Sequence, residues 1–311
     1  MLVLSTLTAL AALFAFSLFA SNTSKTFDVS AGGQLIVETD IGSISITTGS
    51  GDRVEATVTA SGNNAERFKA GFSQDGDTVT ITGDYEKSSL WGWNNNPKVR
   101  FEITVPERFD VDLKTAGGSI TVADLDGEVR AKTSGGSLNF GNIDGPVYGR
   151  TSGGSITLEG GTATADVRTS GGSISIGNVG GEVSAKTSGG SIKIASARGS
   201  VDAETSGGSI KVEEVMGTIN ASTSGGSITA YISEQPGADC RLTTSGGGVT
   251  AYLADGISVD IDARASGGKV QSDFEVDSAS LSKSRLTGEL NGGGPRLEMR
   301  TSGGGVKIAR R

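Results

Sequence analysis

From residue 115 onward, apolar and polar positions alternate in short runs that recur at a fixed spacing. In residues 205–222, "TSGGSIKVEEVMGTINAS", Ile210 and Val212 alternate with polar neighbours and Val215 follows a short bend. Ile219, Ala221 and Thr223 then alternate again. Period-two alternation gives a strand one buried face, so each unit predicts two short strands. Their corners fall at Gly207-Gly208 and Gly217, where glycine admits positive φ. Copies of Thr/Ala-Ser/Ala-Gly-Gly begin at residues 115, 133, 151, 169, 187, 205 and 223, each 18 beyond the last. Two more follow at 244 and 265 in steps of 21, and another begins at 301. One such unit is too small to bury its apolar face alone, whereas stacked copies bury each other's. The pattern therefore predicts an all-β parallel β-helix, or β-solenoid, of 18-residue rungs. At ~4.8 Å per rung, about ten rungs make a rod on the order of 50 Å long.

The repeated octet, "TSGGSISI" at residues 169–176, reads as a corner rather than a site. Identical corners lie above one another, which leaves no room for side chains and calls for unusual backbone angles. Ser119, Ser137, Ser155, Ser173, Ser191, Ser209 and Ser227 then form an outward ladder, and Thr115 through Thr223 an inward one whose hydroxyls can hydrogen-bond up the stack. The octet lacks the spacing of either common glycine-rich phosphate loop and leads into a strand, not a helix. No Asp recurs at the corners, as a calcium-binding nonapeptide repeat requires. Cys240 stands four residues before Thr244, as Ile219 stands before Thr223, so it points into the core as a small hydrophobe. "TDIGSISI" at residues 39–46 matches the octet at most positions and marks a degenerate first rung.

Between Thr39 and Thr115 the period disappears for 76 residues, although strand-like alternation persists in residues 53–60, 77–82 and 99–105. Aromatic residues are concentrated here, seven of the chain's sixteen, including both tryptophans, in "SSLWGWNNNPK". A solenoid must cover its ends, because a bare strand edge recruits other chains. Residues 27–114 therefore read as a degenerate first rung plus an irregular β cap, with residues 115–311 as the solenoid, regular to about residue 243. Two roles compete for Trp91 and Trp93: packing on the last bare rung, or recognition at a hairpin tip together with Asn94 and Lys98.

Residues 2–20 are almost wholly apolar, and "SNTSK" follows them. Residues 1–20 thus read as a signal peptide or an N-terminal anchor, with Ala20 the last residue before cleavage and residues 21–26 a linker. No Cys lies near that boundary to carry a lipid. The expected location is the periplasm or cell surface of a bacterium, with membrane contact only through the leader. Net charge is −8, which disfavours nucleic acid. Without His and with a single Cys, the chain can build neither a Ser-His triad nor a His-based metal site nor an internal disulfide. No cofactor or metal is called for. One charged pattern stands out: Lys114, Lys132, Arg150, Arg168 and Lys186 each immediately precede their Thr. They would stand in one outward row, a candidate surface for a linear anionic polymer, unless nearby Asp112, Glu128, Asp166 and Glu182 neutralise it.

The opening at residues 27–46, the entry "ITVPERFDVDLKTAGGSI" at 103–120 and the ending "GGGPRLEMRTSGGGVKI" at 292–308 together resemble the bacterial putative-adhesin family. Its members are exported β-strand-repeat proteins similar to the head domains of autotransporter adhesins. The resemblance implies fold more than activity, and it brings no catalytic residues. A non-catalytic binding or interaction module of the cell envelope is the leading expectation, with an envelope polysaccharide or another envelope protein as partner. Two alternatives are a structural scaffold in envelope assembly or stress signalling, and a polysaccharide-active enzyme. The enzyme would need clustered carboxylates, and the best group is Asp255, Asp260 and Asp262 with Asp273 and Glu275. On this reading the charged "VKIARR" terminus discourages end-to-end stacking.

Overall fold

The computed structural model describes residues 21–86 and 97–311. Apart from a single 3-10 turn at Ala65–Arg67, its regular structure is β, arranged as two sheets of 15 strands each. Each rung gives one strand to each sheet, and most neighbours within a sheet are parallel copies one period apart. In one face, here sheet II, Val129–Thr133 lies between Asp110–Thr115 and Val147–Arg150, with Thr133 beside Thr115 and Lys132 beside both Lys114 and Arg150. In the opposite face, sheet I, Ile156–Gly161 lies between Leu138–Asp144 and Ile174–Val179. The solenoid read from the period is therefore present, with its register kept rung after rung.

Between the sheets runs one apolar core. In the unit from Thr205, the side chains of Thr205, Ile210, Val212, Val215, Ile219 and Ala221 are all buried, at 3% exposure or less. Cys240 follows the same register. It continues the Ile219 position, faces Leu297 on the other side, and is 2% exposed.

The corners are explained by stacking rather than by backbone angle. A Cβ on Gly136 would lie 2.1 Å from the carbonyl oxygen of Gly118, and one on Gly190 would lie 2.2 Å from that of Gly172. The first glycine of each pair is less crowded, since a Cβ on Gly135 would approach nothing nearer than 3.5 Å. None of the paired corner glycines of the array, nor Gly217, lies in the left-handed region. The predicted unusual φ is thus absent. Two-sided rungs turn gently enough that ordinary angles suffice, and close approach of the rung below makes glycine necessary.

Both hydroxyl ladders exist, yet they bond to backbone rather than to each other. Thr169 Oγ1 donates to the Gly154 carbonyl of the preceding rung at 2.7 Å and accepts from Gly172 N–H in its own corner at 3.3 Å. Ser155 Oγ accepts from the backbone N–H of Ser173 at 3.2 Å, and the same bond recurs up the stack. These groups sit where a corner interrupts the sheet ladder, and unpaired buried backbone is costly.

At both ends the rungs leave chain order. The first rung, Gln34–Thr39 with Ser43–Gly49, lies between the array and an outer rung built later in the chain from Thr78–Tyr85 and Lys98–Pro106. Beyond that outer rung, sheet I adds Arg53–Ser61 and then Ser21–Asp28, both antiparallel, and sheet II adds Phe68–Asp75. Residues 21–26, read as a linker, are therefore most of an edge strand, because Phe27 at its end reaches across to stack on Phe72 at 6.4 Å. Phe68 meets Phe101 edge-on at 6.0 Å in the same end. The aromatic residues of the insert thus close this end of the core, as expected of a cap.

The other end repeats the device. The sequence-last rung, Arg296–Thr301 with Val306–Arg310, is wedged between Cys240–Thr244 with Val249–Leu253 on one side and Val259–Ala265 with Val270–Ser272 on the other. "VKIARR" is consequently interior, and its charges do not guard an end. Arg310 instead packs over the Phe274 ring at 4.5 Å, and Arg311 pairs with Glu214 at 3.0 Å. The aperiodic residues after 271 include a hairpin, Asp277–Ser282 with Arg285–Leu290, that extends sheet II alone.

Candidate functional site

Among the described residues no group of three or more His, Cys, Asp or Glu is placed to hold a metal ion. Three of the five carboxylates considered for catalysis, Asp255, Asp262 and Asp273, are held by cations instead. Asp262 receives Arg300 at 2.9 Å and Arg264 at 3.2 Å, Asp255 receives Arg310 at 3.3 Å, and Asp273 lies 3.6 Å from Lys307. Asp260 accepts the backbone N–H of Gly294 at 3.2 Å. Burial pushes the Cys240 thiol above its ordinary range, which keeps it protonated and unreactive.

The cation row is real in its geometry. Lys114, Lys132, Arg150, Arg168 and Lys186 are successive register partners on the outer face of sheet II. Acidic residues of the same strand (Asp112, Asp166) or of the next one (Asp166, Asp202, Glu204) reach four of the five. Arg150 and Arg168 converge on Asp166 at 2.5 and 3.4 Å, Lys114 lies 3.6 Å from Asp112, and Lys186 lies 2.8 Å from Asp202 and 3.4 Å from Glu204. Burial alone would raise the Asp166 carboxyl, but the two guanidiniums outweigh it and hold it below its ordinary range. The hydrogen bond that it donates to Asp202 holds the Lys186 ammonium above its own. Lys132 is exposed and enters none of these pairs. Of the four acids expected to neutralise the row, Asp112 and Asp166 do so, Glu128 pairs with Arg130 instead, and Asp202 and Glu204 act where they were not expected. Exposed pairs of this kind contribute only ~0–1 kcal/mol and exchange readily.

Rung order hides a second cluster from the sequence. Along the same outer line, Thr243 is followed in space by Arg300, then Arg264, then Arg285. Glu298 bridges Arg241 and Arg300, while Asp262 bridges Arg300 and Arg264. Arg264, Arg285 and Arg300 lie 36 residues or fewer apart in the chain but in shuffled order, so no period reveals them.

Sheet I carries a different strip. Tyr231 and Tyr252 are register partners whose rings stack at 4.3 Å with planes 6° apart, and both are half-buried on the outer face. Beside them Lys193 and Lys211 stand in register and share Glu213, at 3.4 and 2.9 Å. The hydrogen bond to Glu213 raises the Lys211 ammonium above its ordinary range. Further along the strip, Tyr252 is followed by the small Ala309, and Lys307 takes the position after Thr250. Each tyrosine stands eight residues after its Thr, at 223 and 244, so the 21-residue step did contain this pair.

Trp91, Trp93 and Asn94 lie outside the described residues. The described strands before and after them, Thr78–Tyr85 and Lys98–Pro106, belong to opposite sheets. Lys98, the first residue of its strand, is exposed.

The model of the family described as Toastrack DUF4097 matches residues 34–309. The chain belongs to the Toastrack DUF4097 family. No curated protein matches it in sequence. Solved structures similar to this Toastrack chain include a "putative adhesin" from Bacteroides fragilis NCTC 9343, 13% identical with a TM-score of 0.34, covering 94% of this chain and 97% of that one. A "putative cell adhesion protein" from Clostridium sporogenes ATCC 15579 is 12% identical with a TM-score of 0.23, covering 94% and 100%. A "putative lipid binding protein" from Parabacteroides distasonis ATCC 8503 is 14% identical with a TM-score of 0.32, covering 93% and 96%.

Proposed function

We propose that this Toastrack chain is an exported, non-catalytic, adhesin-like binding module of the bacterial cell envelope that holds an envelope polysaccharide along its side. The observation that carries the reading is the stacked pair Tyr231 and Tyr252, flanked in register by Lys193, Lys211 and Lys307 on a flat sheet face. Aromatic bodies with polar tips, set beside flexible donors, suit a sugar chain that offers both C–H faces and hydroxyl or acid groups. A rigid solenoid repeats such groups at about the strand spacing of ~4.8 Å, so affinity can accumulate along an extended ligand. An enzyme acting on that polymer would need two free carboxylates in reach of one bond. Of the acids nearest to such an arrangement, Asp255, Asp262 and Asp273 are engaged by Arg264, Arg300, Arg310 and Lys307, and Asp260 accepts a backbone N–H.

The test is binding of the purified protein to a panel of envelope glycans and whole-envelope fractions. It compares the wild type with Tyr231→Ala/Tyr252→Ala, with Trp91→Ala/Trp93→Ala and with Lys132→Glu/Arg168→Glu. Loss of glycan binding in the tyrosine pair alone supports the sheet I strip. Loss only in the tryptophan pair moves the site to the end of the rod, and loss only in the charge-reversed pair moves it to sheet II. Turnover of any glycan would overturn the non-catalytic reading.

A further inference from the structure

The two ends of the rod are finished differently. At the N-terminal end both sheets extend past the last rung, and Phe27 and Phe72 meet across the gap. At the other end sheet II continues for two strands past Val259–Ala265, whereas sheet I stops at the three-residue Val270–Ser272. The overhanging hairpin turns through Lys283 and Ser284, whose carbonyls accept from Val270 N–H at 3.0 Å and Ala265 N–H at 2.9 Å. Its outer strand, Asp277–Ser282, is the edge of the whole sheet. Within it Leu281 pairs with the buried Leu286 and so shares the core-facing side, yet it is 70% exposed. It is the one large hydrophobic residue so exposed among the described residues.

The edge is also self-complementary. Antiparallel pairing of "DSASLSK" with its own copy about Ser280 sets Asp277 opposite Lys283, Ala279 opposite Leu281, and Ser280 opposite itself. Neither Asp277 nor Lys283 enters an ion pair among the described residues, and a two-fold pairing supplies both pairs at once. The bulge between Asp277 and Ser280 twists this edge and displaces Asp277 and Ala279 from regular spacing, while Ser280, Leu281 and Ser282 pair regularly with the hairpin's inner strand and form the regular centre of the edge. A strand edge with one bare leucine, regular from Ser280 to Ser282 and with opposite charges at its two ends, is a template for a second strand, and a self-matching edge closes as an isologous dimer.

We propose that Asp277–Ser282 pairs with the same strand of a second copy, joining two rods end to end through a continuous sheet II. Leu281 of each copy then covers Ala279 of the other, and the closed N-terminal ends point away from the junction. The inference goes beyond the glycan-binding reading and does not depend on it. A chain that binds glycan but fails the test below would overturn this inference and leave that reading intact.

The experiment is oxidative crosslinking of the full chain carrying Ser280→Cys. Residues directly opposite in an antiparallel pair have Cα atoms about 4.5–5.5 Å apart, within disulfide reach. The natural Cys240 is buried and does not compete. A disulfide-linked dimer on a non-reducing gel is expected for Ser280→Cys and not for Asn22→Cys at the far end. In the Ser280→Cys background, Asp277→Lys alone and Lys283→Asp alone each place like charges together, and dimer is expected to fall by at least about tenfold. Mixing those two variants restores opposite charges and the crosslink, which also shows that both are folded. No dimer from Ser280→Cys, equal dimer from Asn22→Cys, or no recovery on mixing would each overturn the proposal.

Discussion

At the scale of single residues, the repeat is a set of distances at the corner. Gly190 and Gly135 look equivalent in sequence, but a Cβ would meet backbone at 2.2 Å in one and only make ordinary contact at 3.5 Å in the other. Gly190→Ala is therefore expected to cost about 1–3 kcal/mol or more, and Gly135→Ala about 0.5 kcal/mol or less, read from denaturation midpoints. Thr169→Val keeps the shape and removes a hydroxyl that serves two backbone groups, so a loss of about 1–3 kcal/mol is expected in the same assay. Asp166 gives a pH test. Its carboxyl is depressed in the folded state, so its stabilisation is present above the unfolded value of about 3.9 and fades as pH falls through the folded one. Asp166→Asn should lower the midpoint slightly at pH 7, by about 1 kcal/mol or less, and match the wild type in strong acid.

The element scale is where chain order and spatial order part. Strands at the 18-residue period were legible because each carries its own alternation, its own corner and its own Thr. Their neighbours at the ends were not legible, because the sequence of Arg296–Thr301 says that it is a strand and says nothing of where it inserts. The insertion has a measurable consequence. Met299 belongs to the last rung in sequence but is 0% exposed, with Leu242 on one side and Ala263 on the other. Met299→Ala is expected to cost about 2–5 kcal/mol, as much as a mid-array change such as Ile194→Ala, where a true end rung would lose far less. The tyrosine pair belongs to this scale too. A double-mutant cycle on Tyr231 and Tyr252 should return a coupling of about 0.5–1.5 kcal/mol in stability.

For the whole molecule, the two outer faces are unlike, as are the two ends. Sheet II carries cations laced with carboxylates, while sheet I carries the aromatic strip. The candidate row on sheet II could be read from Lys114, Lys132, Arg150, Arg168 and Lys186, since all fall at one phase of the period. Its neutralisation depended on which acids lean toward which rung, as Asp166 does between Arg150 and Arg168, and that choice is made by side-chain geometry in space. Arg264, Arg285 and Arg300 became a cluster only through the shuffled order of the last rungs. Dependence of glycan binding on Tyr231 and Tyr252, and on rod length, would be expected if the sheet I strip is used.

By itself the sequence determined the solenoid: the strand period, the buried side of each strand, the glycine corners and the burial of Cys240. Those are local properties, set by alternation and by what can stack on an identical copy of itself. Tertiary structure alone decided the order of the end rungs, the stacking cause behind the corner glycines and the strand formed by residues 21–28. It also decided the ion pairs that quiet the cation row and the overhanging edge at Leu281. Each of these turns on which non-adjacent segments meet, and two strands with the same alternation pattern can meet in any order until packing against a third selects one.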